Sequence, residues 1–230
     1  MTSTPPLAEP QLKSEQNNEA VLLFSGGRDS SLAACLMANQ NKKVHLLTCD
    51  NGVSIRPELA DFRFKELQNT FPSHIVSRTV VPSYGLFRRI ALVDIERDFQ
   101  QFQKNLILLG YQLATHTEGI IFCKKMNINV LVSGFTHYES HYAEQLPEAV
   151  KALTTFADSY DIDYRVPVYE FRSVDEVKFR LLDFGVSTKS LEGVSIFADT
   201  FSDPSAEVVV RYIESKLPVC RDYISFKLNL

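Results

Sequence analysis

Short apolar runs bounded by turn residues alternate along the chain with stretches of helical spacing. Such runs are typical of strands that are buried on both faces of a parallel sheet. They occupy residues 20–24, 44–48, 74–81, 129–133 and 164–169. Pro167 lies within the last run. Because proline donates no hydrogen bond to a ladder, that strand is predicted at an edge of the sheet.

The intervening stretches repeat apolar residues at intervals of three and four positions, which is typical of amphipathic helices. They cover residues 30–39, 57–68, 87–126, 147–159, 173–184 and 204–216. The long stretch 87–126 is predicted as two helices that break near Gly110. The alternation of strands and helices predicts an α/β fold, a doubly wound parallel sheet with helices on both faces and right-handed crossovers.

Composition narrows the class of protein further. The 230 residues suit one domain, predicted at 19–230 after a flexible polar tail at 1–18. The net charge of -4 gives no general attraction to nucleic acid, and no apolar run reaches the ~20 residues that span a bilayer. The four cysteines form no CxxC pair and no zinc-ligand cluster. We therefore expect a protein of the reducing cytoplasm, with no structural zinc site and no membrane partner.

The segment with the most chemical content is 25–30, which reads Ser-Gly-Gly-Arg-Asp-Ser between the first strand and the first helix. Two glycines let the backbone approach a ligand closely, and consecutive N–H groups before a helix N-terminus favour an anion. The hydroxyls of Ser25 and Ser30 add donors. Asp29 is expected to hold a Mg²⁺ ion that bridges phosphates, or to cap the helix. The segment lacks the lysine of a Walker A loop and the glycine spacing of a dinucleotide-binding turn.

On these residues the segment resembles the SGGxDS signature of the PP-loop ATP pyrophosphatases, which have the adenine nucleotide α-hydrolase-like fold. The resemblance implies a five-stranded parallel sheet of order 3-2-1-4-5, with ATP across the carboxyl ends of the strands. It implies cleavage of ATP between the α and β phosphates, adenylation of a substrate carboxylate or carbonyl oxygen, and release of pyrophosphate. A nitrogen or sulfur nucleophile then displaces AMP. ATP and Mg²⁺ are the cofactors that the resemblance implies.

The resemblance also gives roles to individual residues. The nucleotide-binding residues that it implies are Phe24, Ser25, Gly26, Gly27, Arg28, Asp29, Ser30, Asp50, Asn51 and Gly134. Asp50 and Asn51 follow the second strand, where the family binds adenosine, and Gly134 ends the fourth strand. Ser25, Asp29 and Lys189 are the expected catalytic residues, because a cation at Lys189 could neutralise phosphates or a substrate carboxylate.

The segment after the fourth strand is expected to overhang the same end of the sheet. The candidate substrate-binding residues are His137, Glu139 and Glu144 in this segment and Glu192 further along the chain. Either Glu139 or Glu144 could assist proton transfer from an attacking amine. His137 and His141 lie four residues apart, which leaves a metal site open as an alternative.

Later segments resemble the 7-cyano-7-deazaguanine synthase branch of the same group. The resemblance rests on residues 133–134, 142–147, 166–168 and 183–186. It implies an ATP-dependent ligase that forms a C–N bond when ammonia attacks an activated carboxylate of a 7-deazaguanine. The branch has four zinc-binding cysteines near its C-terminus, whereas Cys220 is the only cysteine in the final third of this chain. A divergent 7-deazapurine-type substrate is therefore expected.

Two other functions remain open from the sequence. Sulfur transfer to tRNA or to a small molecule would use Cys123 or Cys220 as a persulfide carrier, although Cys123 lies in an apolar helical stretch and is expected to be buried. The second is a nucleotide-binding partner protein without turnover. Under the leading hypothesis the partners are ATP and a small molecule that bears a carboxylate or carbonyl. Nucleic acid is not expected, and a homodimer is compatible with the resemblance.

Overall fold

The computed structural model describes residues 18–197 and 202–229, and a five-stranded parallel sheet lies at its centre. The strands are β1 (Glu19–Leu23), β2 (Lys43–Asp50), β3 (Ser54–Ile55), β4 (Ile75–Pro82), β5 (Val130–Val132), β6 (Asp163–Arg165) and β7 (Val194–Ser195). The sheet order is β4-β2-β1-β5-β6, and β3 pairs with β7 in a separate antiparallel ribbon. Counted over the five predicted strands this is the order 3-2-1-4-5, so the predicted fold is confirmed. The strand that ends just before Pro167 lies at an edge, as predicted.

Helices cover both faces of this sheet. They are α1 (Arg28–Asn39), α2 (Leu59–Thr70), α3 (Tyr84–Phe87), α4 (Ile95–Phe102), α5 (Ile107–Met126), α6 (Pro147–Asp158), α7 (Val174–Asp183) and α8 (Ala206–Leu228). A π-helical segment, Arg88–Leu92, joins α3 to the turn before α4. The tail predicted at residues 1–18 lies outside the described residues except for Asn18, whose carbonyl accepts from Lys43 N at 2.9 Å.

The strands are apolar throughout because each face of the sheet is covered by its own core. Val21 and Leu23 of β1 pack with α5, α6 and α8, whereas Ala20 and Leu22 pack with α1 and α7. This alternation follows from the two-residue period of a strand. The doubly wound arrangement leaves the carboxyl ends of the strands free of helix, and a site can form there.

Two predicted helix boundaries were wrong. The break within 87–126 lies at residues 103–106 and not near Gly110, which lies inside α5. A Cβ on Gly110 would stand 2.7 Å from Tyr212 Oη and 2.8 Å from Ala91 Cβ, so this glycine allows close packing and does not end the helix. The last helix continues through Pro218 to Leu228, because Cys220 and Ile224 bury their side chains in the core beside α5.

Within the described part of the chain, no single helix is long and apolar enough to cross a bilayer. Together, α4 and α5 reach that length and composition only across a bend of 117°. Most of the length of α5 is buried in the protein core.

A buried histidine ties α5 to the sheet. His116 Nδ1 lies 2.7 Å from the carbonyl oxygen of Gln112, and its Nε2 lies 2.9 Å from Tyr164 Oη on β6. Tyr164 Oη also lies 2.6 Å from Ser133 Oγ. A carbonyl can only accept, so Nδ1 carries the proton and Nε2 accepts from the tyrosine. Burial lowers the pKa of His116 from 6.5 to about 4, which keeps the ring neutral at physiological pH.

We predict that His116 makes the protein less stable in mild acid. The unfolded chain takes up this proton near pH 6.5 and the folded chain only near pH 4, so the free energy of unfolding falls as the pH drops through that window. The expected loss is roughly 3 kcal/mol by pH 4. Urea unfolding at several pH values should show a shallower acid loss for His116→Gln than for the wild type. His141→Gln, at an exposed site, is the matched control and should keep the wild-type slope. Equal slopes for wild type and His116→Gln would contradict the assignment.

Candidate active site

A cleft of about 440 Å³ opens at the carboxyl ends of β1, β2 and β5. After β1 the chain first adds β2 and β4 on one side of β1, and it later adds β5 and β6 on the other side. The strand order therefore reverses at β1, and ligands bind at such a switch point in open α/β sheets. Predicted residues on its lining are Phe24, Ser25, Gly27, Asp29, Ser30, Asn51, Gly134, Glu139 and Glu192. Residues separated by up to 168 positions in sequence therefore meet in one cavity.

The floor of the cleft is the loop that joins β1 to α1. Gly26 has φ +88°, and a Cβ there would stand 2.4 Å from the carbonyl oxygen of Leu191, so glycine is required at this position. Gly27 N donates to Ser25 Oγ at 3.1 Å, and Ser25 Oγ lies 3.2 Å from Ser30 Oγ. Two hydroxyls thus gather beside the N-terminal end of α1, where the helix dipole favours an anion.

The chain after β5 lies directly against this loop. A Cβ on Gly134 would stand 2.5 Å from Ser30 N and 2.8 Å from the carbonyl carbon of Asp29. Only a residue without a side chain allows that approach. The resemblance alone placed Gly134 among the expected nucleotide-binding residues. Its close packing against Ser30 and Asp29 explains why a glycine is needed at this position.

Asp29 faces the cleft from the first turn of α1. Its Oδ1 accepts a hydrogen bond from Tyr138 Oη at 2.6 Å. Burial raises the pKa of Asp29 to about 6; the Tyr138 hydrogen bond lowers it, and the charges of Glu139 and Glu192 raise it. Sequence reasoning missed Tyr138, which is separated from Asp29 by 109 positions.

A second loop crosses the mouth of the cleft. We call residues 187–195 the strap, and both of its ends are fixed. At one end the fully buried Arg63 donates to the carbonyl of Ser187 at 2.9 Å and also to that of Lys189. At the other end β7 pairs with β3. Between the two ends, Leu191 N donates to the carbonyl of Gly26 at 3.1 Å. This bond holds the strap against the loop between β1 and α1.

Six predicted residues do not line the cleft: Gly26, Arg28, Asp50, His137, Glu144 and Lys189. Lys189 is exposed, because the Arg63 contact fixes its backbone and not its side chain. The Asp50 carboxylate accepts from Gly52 N at 2.9 Å, so it shapes the turn after β2. Glu144 is buried. The exposed His137 ring packs edge-on against Tyr169 at 5.7 Å between centroids.

The far wall of the cleft was not predicted. It comprises Tyr111, Gln112 and Thr115 of α5 together with Phe135 and Gln145. The Gln145 amide is fixed, because its Nε2 donates to Glu139 Oε2 at 2.7 Å and its Oε1 accepts from Thr136 N at 2.7 Å. A usable sequence signal was the set of polar residues 111, 112 and 115 in the first half of a long and largely apolar helix.

The sequence left a histidine metal site and reactive cysteines open. His137 belongs to a short 3₁₀ turn, His137–Glu139, so it shares no regular helix face with His141. Among the described residues no cluster of three His, Cys, Asp or Glu side chains could hold a metal ion. All four cysteines are buried. Burial raises the pKa of Cys35 and Cys123 to about 12 and that of Cys220 to about 11, and it raises that of Cys49 as well.

We predict that Gly134→Ala disrupts the cleft. The added Cβ would meet the backbone of Ser30 and Asp29, so the loop or the chain after β5 must move. We expect a loss of about 1–3 kcal/mol in unfolding free energy. We also expect nucleotide to bind about tenfold more weakly. Gly85→Ala is the matched control, because nothing lies within 4 Å of its Cβ position. Calorimetric titration with ATP and Mg²⁺ and thermal melts check both effects, and wild-type values for Gly134→Ala would contradict the packing argument.

Comparisons with known proteins bear on the fold. No protein-family model matches the chain, and no curated protein matches it. A crystal structure of a 4-thiouridine synthetase with RNA and bound ATP is similar, at TM-score 0.63 and 16% identity over 90% of this chain. This chain spans about half, 53%, of that synthetase.

Two further solved structures overlap less well. One is a predicted subunit of tRNA methyltransferase from Methanocaldococcus jannaschii, at 18% identity and TM-score 0.48, which covers 79% of this chain and 93% of its own. The other is NMN synthetase from Francisella tularensis, at 13% identity and TM-score 0.47, which covers 93% of this chain and 84% of its own. The likeness to the ATP-bound synthetase, at TM-score 0.63, shows a shared α/β fold.

Proposed function

We propose that the protein is an ATP-dependent, AMP-forming enzyme of the PP-loop ATP pyrophosphatase group. In this proposal it adenylates a carboxylate or carbonyl oxygen of a small molecule and releases pyrophosphate. A nitrogen nucleophile then displaces AMP. One observation carries the proposal: the Ser-Gly-Gly-Arg-Asp-Ser loop forms the floor of a cleft at the switch point of the sheet.

The loop suits the leaving pyrophosphate and a divalent cation. Ser25 and Ser30 offer hydroxyl donors beside the positive end of α1. Asp29 lines the cleft and offers a carboxylate whose Oδ1 accepts from Tyr138. One carboxylate with hydroxyls matches the oxygen donors that Mg²⁺ prefers when phosphates supply the remaining ligands. A bound Mg²⁺ would neutralise charge on the departing phosphates.

The wall opposite the loop suits an acceptor. A substrate carboxylate oxygen forms a bond to the α-phosphorus while the bond to the β-phosphate oxygen breaks. An amine then attacks the acyl carbon, AMP leaves, and the amine loses a proton to a base. Glu139 is the proposed base, because it lines the cleft and Gln145 fixes its carboxylate.

The aromatic rings of Tyr111 and Phe135 suit a planar acceptor. A 7-deazapurine carboxylic acid is therefore the first acceptor to test. Lys189 has no part in this proposal, because its side chain does not line the cleft. The proposed acceptor is a small molecule and not RNA, and the proposal includes a homodimer, which a measurement of the mass in solution tests.

We predict that Asp29→Asn lowers kcat/KM for acceptor-dependent pyrophosphate release by roughly 100-fold. Without the carboxylate, Mg²⁺ would no longer be held where it neutralises the charge that develops on the leaving pyrophosphate. Ser25→Ala should lower it in the same direction. Asp175→Asn is the matched control, since Asp175 occupies the first turn of α7 and is remote from the cleft lining. Coupled detection of pyrophosphate measures the rate, and mass spectrometry detects the adenylated acid. Full activity of Asp29→Asn would exclude the proposal, and tight ATP binding without AMP from any acceptor would indicate a binding protein.

Sulfur transfer by an enzyme-borne persulfide makes a different prediction. It requires an accessible thiolate, whereas burial raises the pKa of every cysteine in the chain. We expect Cys123→Ala and Cys220→Ala to retain acceptor-dependent pyrophosphate release, with losses confined to stability. Alkylation of the folded protein with iodoacetamide should likewise leave the rate unchanged. Loss of turnover in either variant without loss of folding, as followed by circular dichroism, would favour the sulfur reaction.

A further inference from the structure

The strap places a carboxylate on the loop that is proposed to hold pyrophosphate. Glu192 Oε2 accepts from Ser25 Oγ at 3.1 Å, and Glu192 Oε1 accepts from Ser190 Oγ at 2.8 Å. A Cβ on Gly27 would stand 2.5 Å from Glu192 Oε2, so this oxygen lies directly over the glycine that precedes α1. A carboxylate at that point benefits from the N-terminal helix dipole in the same way as a phosphate.

The charged residues that line the cleft beside Glu192 are acidic, and Arg28 at the start of α1 does not line it. The hydrogen-bond partners of Glu192 are hydroxyls, and no Lys, Arg or His among residues 18–197 and 202–229 forms an ion pair with it. Asp29 and Glu139 line the same cleft, and the charges of Glu139 and Glu192 both act on Asp29. Three carboxylates therefore face the space where an anion would bind. A polyphosphate without a counter-ion would meet their repulsion at short range.

Both ends of the strap are fixed, so displacement of the Glu192 carboxylate does not require the strap backbone to move. Arg63 and the β3–β7 pair hold the strap on either side, so the Glu192 side chain can leave the loop by rotation about its own bonds. The hydrogen bonds that keep it in place are ordinary hydroxyl–carboxylate bonds to Ser25 and Ser190. A stronger ligand for the same donors can therefore replace it.

We infer that Glu192 is a specificity-determining residue that occupies the anion position of the loop and yields it to a polyphosphate that carries a divalent cation. This inference rests on the proposed function of the loop. Metal-free pyrophosphate competes with the Glu192 carboxylate and is repelled by it after displacement. The magnesium complex has a lower net charge, because the cation is bound to the phosphates themselves, so the Glu192 carboxylate repels it much less.

The test is calorimetric titration of inorganic pyrophosphate into full-length protein, in excess EDTA and separately in excess Mg²⁺. Glu192→Gln removes the charge and keeps a side chain of the same shape that can accept from Ser25. It should bind metal-free pyrophosphate about tenfold more tightly than the wild type, since ~1.4 kcal/mol of relieved repulsion corresponds to that factor. Binding of the magnesium complex should stay at the wild-type Kd. Glu214→Gln, an exposed glutamate of α8, loses the same charge away from the cleft and should match the wild type in both titrations.

A second variant tests the position of the carboxylate without changing any charge. Ser190→Ala removes the donor to Glu192 Oε1 and should tighten metal-free binding in the same direction, by less than Glu192→Gln. An unchanged Kd for metal-free pyrophosphate in Glu192→Gln would overturn the inference alone. Weaker binding of the magnesium complex in that variant would also overturn it, because Glu192 would then be a metal ligand. Failure of every variant and the wild type to bind pyrophosphate, even with Mg²⁺, would overturn the proposed function as well.

Discussion

The candidate site depends on the close approach of the chain after β5 to the first turn of α1, which Gly134 permits because it has no side chain. Sheet pairing alone brings β1 and β5 side by side at Leu22 and Val132. The glycine contact sets where the chain goes next. It brings the His137–Glu139 turn over α1, and Tyr138 then reaches Asp29. A larger residue at this point would separate the two halves of the cleft, because the nearest atoms belong to backbone that cannot rotate away.

The charge of the cleft is the second constraint. A phosphate site is expected to carry positive charge, whereas the charged residues on this lining are acidic. The backbone of the loop and the α1 dipole favour an anion, yet the side chains that reach the same space are the carboxylates of Asp29, Glu139 and Glu192. Burial adds to their mutual repulsion and raises the pKa of Asp29 to about 6. Under the proposed function, these opposing fields balance when a divalent cation enters with the phosphates. The acidic lining is then compatible with a metal-nucleotide site.

The sequence predicted the position of the loop between a strand and a helix because the determinants of that position are local. The apolar run of β1, two glycines and the helix that starts at Arg28 lie within a few residues of one another. It could not predict contacts that depend on tertiary packing. Tyr138 and the strap reach the loop from more than 100 positions away, and a hydrogen bond from the buried Arg63 holds the strap backbone at Lys189. The helix break was misplaced for the same reason, since Gly110 faces Ala91 and Tyr212 in the folded chain.

Helix α5 shows why the unpredicted part of the cleft lining is hard to find from a sequence pattern. The helix is buried around most of its circumference, so its apolar residues show no single face and its polar residues look like exceptions. Some of these polar residues bond to neighbouring elements, and others line the cleft. His116 bonds to β6, Glu118 accepts from Tyr223 of α8 at 3.0 Å, and Tyr111 and Thr115 face the cleft. The loop after β1 and helix α5 both line the cavity, although only the loop carries a recognisable motif. Under the proposed function, substitutions along α5 would change the preferred acceptor without moving the loop, so the determinants of the acceptor would lie in a part of the sequence that carries no motif.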